Sequence, residues 1–226
     1  MRDAYIRFFD KGYITKKEFF EFGLSETIHS PYNKAEVEWN LLKRRIYNNE
    51  TVFIRGFGRD ANGTHLFQEF YKKLFSNYNV EKDPTNNAEP AKIIRSLTRY
   101  SKTQSSKFEL IRNYQISHIF GRTKNVFAFT APWNIVYMPK MLDPFTGHEA
   151  KGDMIDEYIF LFQKQAYDIF EKLIDDFNEI MISSIFKERI GESLNTLSLD
   201  ISYTGEEIEK LKKAVDNEFR PIEIQL

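Results

Sequence analysis

The sequence predicts an α+β fold in which helices dominate. Three observations carry this expectation. Apolar residues recur at helical spacing from Met154 to about Ile190. Short runs rich in β-branched and aromatic residues, Thr51 to Phe57 and Asn134 to Met138, read as isolated strands. Gly and Pro number only 10 and 7 in 226 residues, against an average combined usage of about 12%, so long loose linkers are not expected.

Taken in order, Thr15 predicts an N-cap for a helix over 16–22, ended by Gly23. A second helix is expected over about 35–47, with Val37, Trp39, Leu41, Leu42 and Ile46 on an approximate stripe. After the first strand, Asp60-Ala61-Asn62-Gly63 is a turn, and Thr64 caps a helix from His65 to about Phe75. Residues 76–90 are turn-rich and read as a surface loop. Ala91 to about Tyr100 reads as helix, Ser101 to Ser106 as polar connection, and Phe108 to Ile119 as containing strand formers. Asp143-Pro144-Phe145-Thr146-Gly147 reads as a turn. The pattern from 154 to 190 is one long helix or two with a break near Asn178. Unbroken, about 36 residues would span about 54 Å, so it either bends or packs across a dimer. Gly205 to about Val215 is the last helix, acidic first and basic later, as the helix dipole favours.

Composition excludes several classes. With no cysteine, disulfide scaffolds, structural zinc on Cys and cysteine nucleophiles are ruled out. The hydrophobic fraction of 42% and net charge of -1 do not suit a disordered chain. No stretch has the uncharged length of a membrane span, and the charged start lacks a signal-peptide core, so a soluble, cytoplasmic protein is expected. The near-neutral total hides an asymmetry: residues 1–125 hold 22 Lys/Arg against 14 Asp/Glu, and residues 126–226 hold 10 against 19. The segment 91–124 carries eight cations (Lys92, Arg95, Arg99, Lys102, Lys107, Arg112, Arg122 and Lys124) against Glu109 alone. Clustered cations suit a phosphate backbone.

Directly after this cluster come Ser117-His118-Ile119-Phe120-Gly121, then Trp133-Asn134-Ile135-Val136, then Asp143-Pro144-Phe145-Thr146-Gly147-His148-Glu149. This ordered His, Asn, His set resembles the HNH, or ββα-metal, nucleases over roughly residues 113–155, and the Trp-Asn-Ile and Thr-Gly-His-Glu runs resemble a prokaryotic restriction-type member. The resemblance implies a small ββα-metal motif within the fold and a divalent metal, Mg²⁺ or Mn²⁺. It further implies that His118 is the general base, that Asn134 fixes the base or its loop, and that His148 binds the metal. A neutral imidazole suits a base at pH 7, and a divalent ion suits charge building on phosphate. Two departures stand out. Ser117 occupies the position of a metal-binding Asp or His, leaving Asp143, Asn125 or Glu149 as substitutes. The interval from Asn134 to His148 is also long.

Arg122 and Lys124 follow the base closely and are expected at flanking phosphates, as are Arg95, Arg99, Arg112, Arg55 and Arg59. The glycines around Arg55 and Arg59 lack the Lys-Ser/Thr pair of a P-loop. His29 and His65 are read as structural, and the aromatic stripe over 158–177 as core or dimer interface. The resulting expectation is a single domain, 1–226. Its parts are a mixed α/β DNA-contacting part (1–107), the nuclease motif (108–155) and a helical core or dimerisation part (156–226). The expected activity is type II restriction cleavage of double-stranded DNA by a homodimer, with RNA left open as substrate. The rivals are a nucleic-acid-binding protein without catalysis and a helical interaction protein whose His and Asn are structural.

Overall fold

A computed structural model describes residues 2–56, 63–146 and 150–224. The fold is α+β with helices dominant, and among the described residues it holds three two-stranded sheets. Helix α1 (Ala4–Asp10) was not expected from the sequence; Asp3 caps it by accepting from the backbone N–H groups of Tyr5 and Ile6. Helix α2 (Lys16–Ser25) starts as predicted at Thr15, where Thr15 and Glu18 form a reciprocal capping box. It runs through Gly23 rather than ending there. A Cβ at Gly23 would lie 2.7 Å from the Tyr158 hydroxyl and 2.8 Å from Leu142, so this glycine serves close packing.

Helix α3 (Tyr32–Tyr47) leads into strand β1 (Val52–Ile54). Helix α4 (Thr64–Phe75) follows. The stretch read as a surface loop contains strand β2 (Val80–Lys82), which pairs parallel to β1. Three residues in a strand leave too short a pattern for period-2 alternation to register. Asp83, fully buried, then accepts from the backbone N–H groups of Thr85, Ala88 and Glu89 at 2.7–3.0 Å and starts helix α5 (Ala88–Thr98). Pro90 lies in its first turn, where no intrahelical donor is needed.

Strands β3 (Tyr100–Ser101) and β4 (Glu109–Leu110) pair in parallel. Strand β5 (Tyr114–His118) pairs antiparallel with β6 (Ile135–Pro139), and His118 stands opposite Ile135. The expected turn at 143–147 is, as far as described, the end of a 3-10 helix over Lys140–Thr146. The long amphipathic pattern is two helices, α6 (Asp153–Ile182) and α7 (Ser184–Ser198). They break at Ser183, whose hydroxyl caps α7, five residues beyond the expected break. Helix α6 also leaves helical geometry at Phe170 (φ -119°, ψ 20°), where the buried ring packs on His29 and Tyr32. The bend and the break resolve the length problem within one chain. Helix α8 (Gly205–Glu218) closes the order, with a second capping box on Thr204 and Glu207.

The β5–β6 hairpin lies between two layers. One face packs Val136 and Met138 against Phe20 of α2, Leu142 of the 3-10 helix, and Tyr158 and Phe162 of α6. The other packs Ile116, Ile135 and Tyr137 against Ile94 of α5. The largest core cluster joins α3, α4, α6, α7 and α8 to the connection between β5 and β6. Trp133, for example, stands 5.7 Å from the ring of Trp39 and 5.1 Å from that of Phe177. No helix among the described residues is long and apolar enough to cross a membrane.

Replacing Gly23 by alanine adds one buried methyl where there is no room. Helix propensity gains less than about 1 kcal/mol, whereas overpacking costs about 1–3 kcal/mol. Urea unfolding of Gly23→Ala is therefore expected to show a net loss of stability with an unchanged m-value.

Candidate functional site

The site forms where β5 ends. The ladder continues one step past the strands through the Ile119 N–H donating to the Asn134 carbonyl, 2.9 Å. The chain then turns through Gly121 and Arg122, both left-handed at φ +66° and +54°, and returns after a coil of short turns. Asn134 ties this excursion together. Its fully buried amide oxygen accepts from the Phe120 N–H, and its amide nitrogen donates to the carbonyls of Gly121 and Ala128, each at 2.9 Å. Three of the four bonds an asparagine amide can make are filled.

The loop so held presents Phe129 to His118. The His118 Nε2 lies 2.9 Å from the Phe129 carbonyl, and the two rings stack at 5.3 Å and 11°. A carbonyl only accepts, so Nε2 carries a proton, and in the neutral ring the lone pair falls on Nδ1. Nδ1 faces the guanidinium of Arg55, whose Nη2 is 3.4 Å away and also 3.3 Å from the Asn87 amide oxygen. Arg55 is delivered from the end of β1, where its own N–H donates to the Thr123 carbonyl at 2.9 Å. Asn87 is delivered by the Asp83 turn ahead of α5. Elements from three distant parts of the chain thus meet at one imidazole: a proton acceptor, a cation and an amide.

The structure brings together only some of the expected site residues. Arg55 joins His118 directly, which is closer than the backbone contact expected for it. Arg59 and His148 lie outside the described residues. Ser117 is buried and, being adjacent to His118 in a strand, points to the opposite face, where its partner Val136 packs toward α6. Asp143 accepts a hydrogen bond from the Gln115 amide, on the same strand face as Ser117. The hairpin therefore separates Ser117 and Asp143 from the imidazole. Among the described residues no group of three or more His, Asp or Glu side chains gathers as a metal cage. Asn125, a possible substitute, is fully buried and donates to the Glu218 carbonyl.

Two of the expected phosphate contacts turn inward. The Arg122 guanidinium donates to the Asn217 carbonyl. The Lys124 ammonium sits 5.6 Å over the Phe67 ring. Both flank Glu218, whose carboxylate accepts from the backbone N–H groups of Lys124 and Asn125 at 3.0 and 3.1 Å. Burial pushes the Glu218 carboxyl above its ordinary value, against these hydrogen bonds and the pull of Arg122. It also lowers the Arg122 guanidinium. The left-handed turn at 121–122 aims the arginine at α8, which alternation and charge counting do not reveal. Arg95 and Arg99 instead lie 5.4 and 5.0 Å over the ring of Phe108, and Arg112 is exposed.

Sequence reasoning missed Asn87 and Phe129. The signal for Asn87 was present in Asp83-Pro84-Thr85-Asn86-Asn87, a side-chain-capped turn ahead of a helix. Phe129 had no local signal, because it acts through its carbonyl and ring face.

Fold and site together define a helix-dominated α+β protein with one hairpin-borne imidazole held between a loop carbonyl and a guanidinium. Over residues 30–224 the chain matches the family described as "Uncharacterised protein PM1201", and it belongs to that family. A relative of that description in Pasteurella multocida (strain Pm70) is 43% identical over 181 residues, which is 80% of this chain and 80% of the relative. No solved structure matches. The matched stretch contains Arg55, Asn87, His118, Phe129 and Asn134.

Two outcomes follow. Asn134→Ala removes the side-chain partner of the part-buried Phe120 N–H and Gly121 carbonyl, each at a cost of about 1–3 kcal/mol, and one of the two partners of the Ala128 carbonyl. The expected result is a stability loss of about 2 kcal/mol or more in chemical denaturation, with Asn134→Asp only partly restoring it because a carboxylate cannot donate. Glu218 sets a pH dependence. With its folded pKa raised, its contribution is fully present below the ordinary carboxylate range and is lost as pH rises through the folded value. Thermal melts from pH 4 upward are expected to show a smaller fall in Glu218→Gln than in the native chain.

Proposed function

We propose that this protein is an HNH-type endonuclease that hydrolyses phosphodiester bonds in double-stranded DNA. The observation that carries the reading is the paired arrangement of His118 and Asn134. An imidazole ends one strand, and a buried asparagine opens the antiparallel partner and pins the loop whose carbonyl orients that imidazole. The resemblance seen in the sequence implies this division of labour, and the hydrogen bonds of Asn134 and His118 supply a physical basis for it.

In this reading the Arg55 guanidinium turns from Nδ1 to the phosphate, and the Nδ1 of the neutral His118 ring then takes a proton from water as the water oxygen attacks phosphorus. The P–O bond to the departing sugar oxygen breaks, and that oxygen takes a proton from solvent. Arg55, beside the imidazole, binds a non-bridging phosphate oxygen and offsets the charge that builds on it. Asn87 holds the guanidinium in place. A positioned general base contributes about 10²–10⁴-fold to rate.

Mg²⁺ or Mn²⁺ belongs to the same proposal through the resemblance. The described residues do not supply its ligand set, since Ser117 and Asp143 lie across the hairpin from His118, and no step above is routed through the ion. A homodimer cutting both strands of a palindrome, as type II restriction enzymes do, suits two-fold symmetry, and a cytoplasmic location suits that role. The separation of Ser117 and Asp143 from His118 favours one second reading, a DNA-binding protein without hydrolysis.

Supercoiled plasmid incubated with Mg²⁺, with Mn²⁺ and with chelator tests the proposal. Nicking or linearisation is expected with a divalent ion. His118→Ala and Arg55→Gln are each expected to reduce it by about 10²-fold or more. Cutting by His118→Ala at the native rate would remove His118 as the base, and binding without cutting under every condition would favour the second reading.

A further inference from the structure

Three exposed cations, Lys102, Arg112 and Lys140, lie toward the other end of the hairpin. Lys102 follows β3, and Lys140 is the first residue after β6. Ser101 fixes the turn that carries Lys102: its hydroxyl donates to the Thr103 carbonyl at 2.9 Å and accepts from the Thr103 N–H at 3.2 Å. The same turn is tied to the hairpin, because the Tyr137 hydroxyl donates to the Tyr100 carbonyl at 3.4 Å. Lys140 is fixed by its N–H donating to the Asn113 carbonyl at 2.8 Å, which brings exposed Arg112 alongside. Both lysines are exposed. The nearby acids are Glu109 in β4, Glu26, which accepts from the Tyr114 hydroxyl, and Asp143, which accepts from Gln115. None of the three forms an ion pair with Lys102 or Lys140.

We infer that Lys102 and Lys140, with Arg112 beside them, form a phosphate clamp that seats the DNA backbone at the end of the hairpin remote from His118. The lowered affinity of Lys102 for its proton agrees with this. Partial burial is the larger cause and the charge of Lys140 the second. The spacing suits a duplex. From Tyr114, opposite Pro139, to His118, opposite Ile135, four strand steps cover about 13 Å. That is about four base pairs at about 3.4 Å of rise. Lys102 and Arg112 belong to the basic segment 91–124, whereas Lys140 lies outside it and Arg122 and Lys124 leave it for α8.

The clamp rests on the nucleic-acid reading, and its test is made without hydrolysis. A fluorescein-labelled DNA duplex of about two helical turns is titrated in chelator, by anisotropy, from about 50 to about 200 mM KCl. Each neutralised phosphate contributes about 0.9 to the slope of log affinity against log salt. The Lys102→Gln/Lys140→Gln double variant is expected to lower that slope by about 2. Over this fourfold range its affinity then falls about tenfold less than the native protein's. Lys102→Arg/Lys140→Arg is expected to keep the native slope, which separates charge from folding. A native slope in the Gln double variant would overturn the clamp, as would a native protein that does not bind the duplex. Plasmid cutting with an unchanged slope sinks the clamp and leaves the nuclease. A lowered slope with no cutting keeps the clamp and sinks the nuclease.

Discussion

The amide of Asn134 is the constraint on which the site depends. Sixteen residues separate the two strands of the hairpin, Ile119 to Asn134, and much of that excursion is buried. Its backbone groups cannot all reach water, so each needs a partner inside. One side chain satisfies three of them. Without it the Phe120 N–H and the Gly121 carbonyl lose their side-chain partner, and the loop that presents the Phe129 carbonyl to His118 loses one of its ties. Burial makes this constraint strong, because the alternative is not hydration but an unmade bond.

The same loop couples the site to the helical part. Asn125, Lys124 and Arg122 all engage the end of α8 around Glu218, while Val126 and Phe127 enter the large aromatic core. Helix α8 is therefore a brace for the back of the site. The separation of charge along the chain, basic before residue 125 and acidic after it, partly serves this internal docking. Lys92 and Arg99 near α5, and Lys102, Arg112 and Lys140 toward the open end of the hairpin, remain exposed.

Much of the architecture was legible locally. The Thr15 and Thr204 capping boxes, the amphipathic stripe of α6 and α7, and the β-branched run of β6 each follow from neighbours within a few residues. The strands β2 and β3 were not legible, since two or three residues without a β-branched and aromatic run carry too little pattern. For the site, His118 at a strand end and Asn134 at a strand start were readable from order and spacing. Arg55 at the imidazole was not, because 63 residues separate them and only the docking of β1 on Thr123 brings them together.

The sequence by itself determined the class of fold, the starts of α2 and α8, the absence of cysteine chemistry and the placing of a histidine at one strand end and an asparagine at the start of the next. These depend on composition and short-range periodicity, which survive without knowledge of the rest of the chain. The tertiary structure alone decided which cations face outward, which face of the hairpin each polar residue occupies, and what touches the imidazole. The reason is physical. A strand of alternating residues has two faces, and only packing of α5 on one and α6 on the other assigns His118 to the first and Ser117 with Asp143 to the second.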